Sequence, residues 1–166
     1  YEITCRDCSS DVCSSDLSKA GYLNFNANKI TQHAFYSYPI WVSENTGDTY
    51  ITNNMITSNG INHCVHITVD TSNVSIYNNN FMPSDVGGGK TNSLIEIKNP
   101  TNNSVNIHSN IFVKKQNQLV YSIFPFNENV YFSHNLYHII DNTTTFAQIN
   151  GTSFSDIFDF SSTYEY

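Results

Sequence analysis

The feature that most constrains this chain is a short motif that recurs at nearly constant spacing. Its clearest copy is residues 73–81, NVSIYNNNF, in which two apolar residues alternate with polar ones before Asn79 and Phe81. The same pattern, apolar-x-apolar-x-x-Asn-x-apolar, recurs with some variation at 23–30, 49–56, 105–112 and 130–137. Internal repeats with periods of 20–50 residues indicate solenoids, propellers or similar arrays. The repeat therefore limits the fold class before any single residue is considered.

Each repeat is marked by an asparagine, and the intervals between these asparagines are close to 25 residues except where a glycine-rich insert at 83–92 lengthens one of them. The five asparagines are Asn28, Asn54, Asn79, Asn110 and Asn135. A second run of alternating apolar residues, such as Ile95 and Ile97, precedes each copy. Alternation with a period of two is typical of strands with one buried face. We therefore expect three short strands per repeat and almost no helix.

The repeated asparagine has two expected roles at the corner of each coil. Asparagine tolerates the left-handed backbone conformation that a sharp corner needs. Its amide can also pair with the amides above and below it, as in the asparagine ladders of other stacked parallel strands. We therefore predict a ladder along all five asparagines. Apolar residues at equivalent positions, such as Phe81, Phe112 and Tyr137, should form interior columns.

The repeat unit V-x-I-x-x-N-x-F resembles the right-handed parallel β-helix of the pectate-lyase-like superfamily over about residues 21–150. The resemblance implies an all-β solenoid of about five coils, each of roughly 25 residues. We assign residues 18–166 to this single domain and read it as part of a longer solenoid, open at both ends. Its partners would include the neighbouring coils of the full-length chain.

Residues 5–17, CRDCSSDVCSSDL, do not fit the repeat and resemble a translated short-read sequencing adapter. We therefore set residues 1–17 apart as a non-native and disordered segment. The competing interpretation is a metal-binding or disulfide-forming cluster built on Cys5, Cys8 and Cys13. Outside this segment Cys64 is the remaining cysteine, so no disulfide can form within the repeats.

The charge of the chain argues against nucleic-acid binding. The formal net charge is −7, and without residues 1–17 it is −4, from six lysines and ten acidic residues. The repeats contain no arginine, so a basic face that could neutralise phosphates is not expected. A membrane span is not expected either, because no apolar run approaches the roughly 18 residues that one needs.

The resemblance implies a ligand groove along the first strand of each coil. The outward positions on that strand form the column Trp41, His66, Glu96, Ser122, Gln148 and a second column Ser43, Thr68, Lys98, Phe124, Asn150. Flanking segments offer further polar and aromatic side chains: His33, Tyr36, Tyr38, Asn62, His63, Asp85, Lys90, Lys114, Lys115, His138 and Asp141. We take Trp41, His66 and Glu96 as candidate substrate-binding residues, because aromatic rings can stack on sugars. An equal alternative is that Trp41 covers the first coil.

Catalysis would need further groups on this groove. A polysaccharide lyase needs a base and cations that neutralise a uronate carboxylate, and a glycoside hydrolase needs two carboxylates at a defined separation. The candidate catalytic residues are His66, Asp85, Glu96 and Lys98. Lys98 beside Glu96 is expected to be a solvated pair. No Asp cluster suited to Ca²⁺ is visible, so Ca²⁺ is implied by the resemblance alone, and no cofactor is expected.

Within the repeats, His63, His66 and Glu96 are the residues that we consider as a metal site. Residues three apart on a strand point to opposite faces, so a shared metal would require His63 to lie in the loop. We therefore expect exposed strand histidines and no metal site.

The resulting hypothesis is a secreted, periplasmic or cell-surface β-helix repeat protein that binds or processes polysaccharide. The alternatives are an active lyase or glycoside hydrolase, and a non-catalytic structural or adhesin stalk.

Overall fold

The computed structural model describes the repeats and the segment that follows them. The described residues are 22–32, 38–43, 47–58, 63–68, 73–83, 92–98, 103–115, 118–124, 129–140 and 145–165. The adapter-like string at 5–17 and the candidate residue Asp85 lie outside these ranges, as do His33, Tyr36, Asn62, Lys90 and Asp141.

The described residues form short strands followed by one helix. In chain order these are β1 (Leu23–Asn26), β2 (Lys29–Gln32), β3 (Ile40–Ser43), β4 (Thr49–Thr52), β5 (Met55–Ser58), β6 (Val65–Thr68), β7 (Val74–Tyr77), β8 (Asn80–Pro83), β9 (Asn92–Lys98), β10 (Val105–His108), β11 (Ile111–Lys114), β12 (Gln118–Phe124), β13 (Val130–Ser133), β14 (Leu136–Ile139), β15 (Ala147–Ile149), β16 (Thr152–Phe154) and α1 (Ile157–Tyr164).

The strands stack into three sheets, and each passage of the chain adds one strand to each sheet. Sheet I has the order β1-β4-β7-β10-β13, and sheet II the order β14-β11-β8-β5-β2. Sheet III has the order β16-β15-β12-β9-β6-β3. Every neighbouring pair is parallel except β15 with β16. The predicted all-β parallel solenoid is thus confirmed, and its right-handed sense stays a prediction of the resemblance.

The corner between sheets I and II contains the asparagine ladder. The Nδ2 of Asn54 donates to Oδ1 of Asn79 at 3.0 Å, and the Nδ2 of Asn79 donates to Oδ1 of Asn110 at 3.0 Å. Equivalent bonds join Asn28 to Asn54 and Asn110 to Asn135. Each receiving oxygen also accepts the backbone N–H of the asparagine in the preceding coil. The ladder therefore satisfies backbone groups that the sharp corner would otherwise leave buried without partners.

We expected the ladder asparagine to adopt the left-handed conformation at this corner. The residue immediately before it adopts that conformation instead. These residues have φ between 54° and 57°: Ala27, Asn53, Asn78, Ser109 and His134. The ladder asparagine is instead held by the amide bonds described above. The residue type at the left-handed position therefore differs among the coils, whereas the ladder position is asparagine in each of them.

Apolar columns fill the interior between the three sheets. The Phe81 and Phe112 rings stack with centroids 4.9 Å apart, and Phe112 stacks on Tyr137 at 5.6 Å. Val74, Val105 and Val130 lie in register on adjacent strands of sheet I and are buried. These columns are the predicted interior, and they hold successive coils in the same register.

A reversal of the chain and a short helix cover the last coil of the described solenoid. The two-residue turn Asn150–Gly151, with both φ values positive, reverses the chain so that β16 pairs antiparallel with β15. Helix α1 then begins after Asp156, whose side chain accepts the backbone N–H of Asp159. Aromatic residues of this segment, Phe160 above all, pack onto the last coil.

Two contacts attach α1 and the residue after it to the last coil. The Phe160 ring is fully buried and packs against the rings of Tyr121, Phe132 and Phe146. Oε1 of Glu165 accepts the amide of Asn135 at 3.0 Å and so ends the asparagine ladder. No helix in the described part of the chain is long and apolar enough to cross a bilayer.

Replacing a central ladder residue should destabilise the whole stack. In Asn79→Ala, the backbone N–H of Asn54 and the carbonyl of Ile51 lose buried partners. We expect the free energy of unfolding to fall by about 2–4 kcal/mol, since each unsatisfied buried group costs roughly 1–3 kcal/mol. Asn80→Ala, at the half-buried neighbouring position, should change it by less than about 0.5 kcal/mol. Equal losses in denaturant unfolding would contradict a structural role for the ladder.

The closing helix offers a second matched pair. Phe160 is 0% exposed and Phe158, two residues earlier, is 80% exposed. Phe160→Ala should lower the free energy of unfolding by about 3–5 kcal/mol, because it empties a packed aromatic site. Phe158→Ala should leave it within about 0.5 kcal/mol of the parent. A Phe160→Ala protein as stable as Phe158→Ala in thermal unfolding would show that α1 does not cover the core.

Candidate functional site

The outward face of sheet III lines up side chains from successive coils. Strand pairing places Trp41 opposite His66, His66 opposite Glu96, Glu96 opposite Ser122, and Ser122 opposite Gln148. This is the column that the sequence predicts. Parallel neighbours lie about 4.8 Å apart, so the column extends over roughly 19 Å.

Three of the side chains on this face converge on one point. Oε2 of Glu96 lies 3.0 Å from Nε2 of His63 and 2.5 Å from Nδ1 of His66. The nearest ligand atoms of the three residues all lie within 4.8 Å of one another. We refer to His63, His66 and Glu96 as the histidine–glutamate cluster. Two imidazoles and a carboxylate are a donor set that can hold a divalent transition-metal ion.

The local chain path explains how two histidines three residues apart reach the same point. His63 lies before β6, and a bend at Cys64 separates it from the strand, whereas His66 lies within β6. The alternation of strand faces therefore does not apply to His63. Glu96 comes from β9 in the next coil, where strand pairing sets it beside His66. Because His63 lies outside the strand, the alternation of strand faces does not argue against a metal ion shared by His63 and His66.

The cluster is shielded rather than solvated. The exposed fraction of the side chain is 8% for His66, 15% for His63 and 13% for Glu96. The prediction of exposed strand histidines is therefore wrong for His66. Lys98 lies two residues after Glu96 on the same face, with Nζ 3.4 Å from Oε2 of Glu96 and 52% of its side chain exposed. Only the lysine of that pair is solvated.

Within the described ranges, Nδ1 of His66 and Oε2 of Glu96 are buried and have no hydrogen-bond partner. The two atoms also lie 2.5 Å from each other as an ion pair. Polar groups buried in this way are uncommon in folded proteins and point to a missing ligand or to strain. The centre of the cluster therefore has capacity to bind a further atom.

The charge state of the carboxyl group is set by its surroundings. Burial raises the pKa of Glu96, but polar contacts and electrostatic attraction from His63 and His66 outweigh it and hold the pKa well below its usual range. The group is thus an ionised carboxylate at neutral pH. A carboxyl group of this kind is a poor proton donor.

Aromatic side chains form one wall of the cluster. The Tyr38 ring is parallel to that of His63, with centroids 5.8 Å apart, and lies 4.8 Å from the His66 ring. Trp41 contacts Tyr38 at 5.6 Å and meets the His66 ring edge-on at 6.0 Å. These contacts fix both imidazoles and join the aromatic residues to the cluster.

On its other side the cluster opens into a cleft of about 470 Å³. The lining residues are His63, Glu96, Leu119, Ser122, Thr145, Gln148 and Ser153. Ser153 comes from β16, so the closing segment contributes to one end of the cleft. The cleft therefore continues the outward column in the direction of Gln148.

Some of the candidate residues lie on sheet III and others do not. Trp41, His66, Glu96 and Lys98 all lie on sheet III. Lys114 is buried on β11 and His138 is exposed on β14, so neither belongs to this face. Asp85, the other carboxylate among the candidate catalytic residues, lies outside the described residues.

Sequence reasoning did not assign roles to Ser93 and Ser153. Ser93 contacts Nδ1 of His63 through its hydroxyl at 2.7 Å. Ser153 lies on a strand whose only sequence signal is the Asn150–Gly151 dipeptide, which is typical of tight hairpins.

Comparison of the chain with family models, curated proteins and solved structures finds no match.

Proposed function

We propose that this protein is a pectate-lyase-like β-helix repeat protein that binds a polysaccharide chain along the outward face of sheet III. The observation that carries the proposal is the alignment of Trp41, His66, Glu96, Ser122 and Gln148 in one column that leads into an open cleft. Its extent of roughly 19 Å suits several linked sugar units rather than one small molecule.

The chemistry of the face supports a sugar ligand. Sugar rings have apolar faces that stack on aromatic side chains, and hydroxyl groups that need hydrogen-bond partners. Tyr38 and Trp41 lie at one end of the face, and Phe124, which is 62% exposed, lies on β12. Ser122, Gln148 and Ser153 supply donors and acceptors along the cleft. The face thus offers both kinds of contact.

The lowered pKa of Glu96 argues against one catalytic role, that of the general acid. It leaves the carboxylate ionised, as the nucleophile or base of a hydrolase must be, so enzymatic chemistry keeps its place as an alternative to binding. A general acid of a glycoside hydrolase needs a raised pKa instead. A lyase or hydrolase therefore remains the second hypothesis, and a structural stalk without a ligand the third. A location outside the cytosol stays a prediction of the family resemblance.

Removing one aromatic residue from this face should weaken polysaccharide binding. We expect the parent protein to be retained by at least one polysaccharide on a glycan array. Phe124→Ala should weaken binding to that glycan about tenfold, because stacking on the exposed ring is lost. The same glycan measured by calorimetry gives the dissociation constants.

The matched control is Tyr131→Ala, since Tyr131 is 47% exposed but lies on β13 of sheet I. Its affinity should equal that of the parent. Equal losses in both variants, or no binding of any glycan by the parent, would contradict a glycan-binding face. Release of new sugar ends from the bound glycan, which Glu96→Gln abolishes, would favour the enzymatic alternative.

A further inference from the structure

We propose that His63, His66 and Glu96 form a binding site for one divalent transition-metal ion of the Zn²⁺ class. Nε2 of His63, Nδ1 of His66 and a carboxylate oxygen of Glu96 would be the three ligands. His66 and Glu96 also belong to the proposed glycan-binding column, but metal binding is tested without any sugar, so the two proposals fail separately.

The geometry of the ligand atoms carries the proposal. Bonds of about 2.0–2.1 Å to a tetrahedral ion put neighbouring ligand atoms about 3.3 Å apart. Oε2 of Glu96 now lies 2.5 Å and 3.0 Å from the two histidine nitrogens. Adjustments on the order of 1 Å, within reach of side-chain torsions, would therefore admit an ion.

The burial of two polar atoms without hydrogen-bond partners among the described residues supports the proposal independently of which residue types form the cluster. The His66 side chain is only 8% exposed, and its Nδ1 points into the cluster without a hydrogen-bond partner in the described part of the chain. Oε2 of Glu96 is in the same condition. A metal ion would bind both atoms at once, in place of the close contact that they make with each other.

The nitrogens on the far side of each ring have the partners that metal-bound histidines need. Nδ1 of His63 lies 2.7 Å from the hydroxyl of Ser93 and 3.2 Å from both the carbonyl oxygen and the backbone nitrogen of Ser93. In the tautomer that carries hydrogen on Nδ1, this nitrogen donates to the hydroxyl or the carbonyl and leaves the Nε2 lone pair for a metal. Nε2 of His66 lies 3.5 Å from Oγ1 of Thr68. Such second partners fix the ring orientation and the tautomer of metal-binding histidines.

The donor set selects the class of ion. Imidazole suits Zn²⁺ and its neighbours, whereas Ca²⁺ prefers six to eight oxygen ligands. Three protein ligands leave one tetrahedral position, which would face the cleft that His63 and Glu96 line. Lys98 is half exposed and can move away from Glu96 when an ion replaces its charge. The ion would also join two coils, because Glu96 lies on β9 and His66 on β6.

The direct test is calorimetric titration of the full chain with ZnCl₂. Cys5, Cys8 and Cys13 are first changed to serine, so that thiolates near the N-terminus do not bind the ion. We expect one Zn²⁺ per chain. Glu96→Gln and His66→Ala should each weaken the affinity by at least about 100-fold, more than the loss of a second partner of a ligand causes. His138→Ala, an exposed strand histidine on sheet II, should bind Zn²⁺ like the parent.

A stability readout guards against variants that fail to fold. Glu96→Gln keeps the side-chain shape and should give the same circular dichroism spectrum as the parent. Zn²⁺ at about 100 times its dissociation constant should raise the melting temperature of the parent by about 5–10 °C but leave that of Glu96→Gln unchanged.

Cobalt identifies the ligand atoms. The Co²⁺ complex should show d–d bands without thiolate charge transfer, since Cys64 takes no part. Failure of the serine-substituted chain to bind one Zn²⁺, equal affinity in Glu96→Gln, or a thiolate signature would each overturn the proposal.

Discussion

The structure depends on one repeated interaction, the hydrogen bonds that an asparagine side chain makes to the coil beside it. In the middle of the stack, the Asn79 amide accepts from the backbone and side chain of Asn54 and donates to Ile51 and Asn110. Hydrogen bonds of this kind are individually modest, but leaving their buried partners unpaired is costly. A shift of one residue in register would break the entire series. The ladder therefore fixes which residues of successive coils lie opposite one another, and Glu165 ends it.

Fixed register brings side chains that are distant in sequence onto one face. His66 and Glu96 are thirty residues apart in the chain but lie opposite each other on β6 and β9. His63 joins them because the chain bends at Cys64 before the strand begins. The fixed register thus holds these three residues in contact, and the Tyr38 ring packs against both imidazoles. The rigid stack supplies the order that a polysaccharide face or a metal site requires.

Much of the fold could be predicted from the sequence because each coil of a solenoid repeats the same short strands and the same corner. Period-two alternation and the recurring asparagine identify the strands and the ladder. Two features escaped prediction because they break the repeat. The reversal at Gly151 and the burial of Phe160 depend on contacts made only once, at the end of the stack. The column containing Trp41 and Glu96 followed from register, but the burial of His66 depends on side chains from a loop and a neighbouring coil, which local pattern does not encode.

Stacking in this register brings His63, His66 and Glu96 to one point, where we propose that an ion binds. The most direct measurement is a crystal structure of the protein soaked in Zn²⁺, with anomalous diffraction recorded on both sides of the zinc absorption edge. We expect one strong anomalous peak on sheet III, about 2.0–2.2 Å from a nitrogen of each histidine and an oxygen of Glu96. A structure in which β6 and β9 pair in another register, or in which zinc lies elsewhere and leaves the cluster empty, would contradict it.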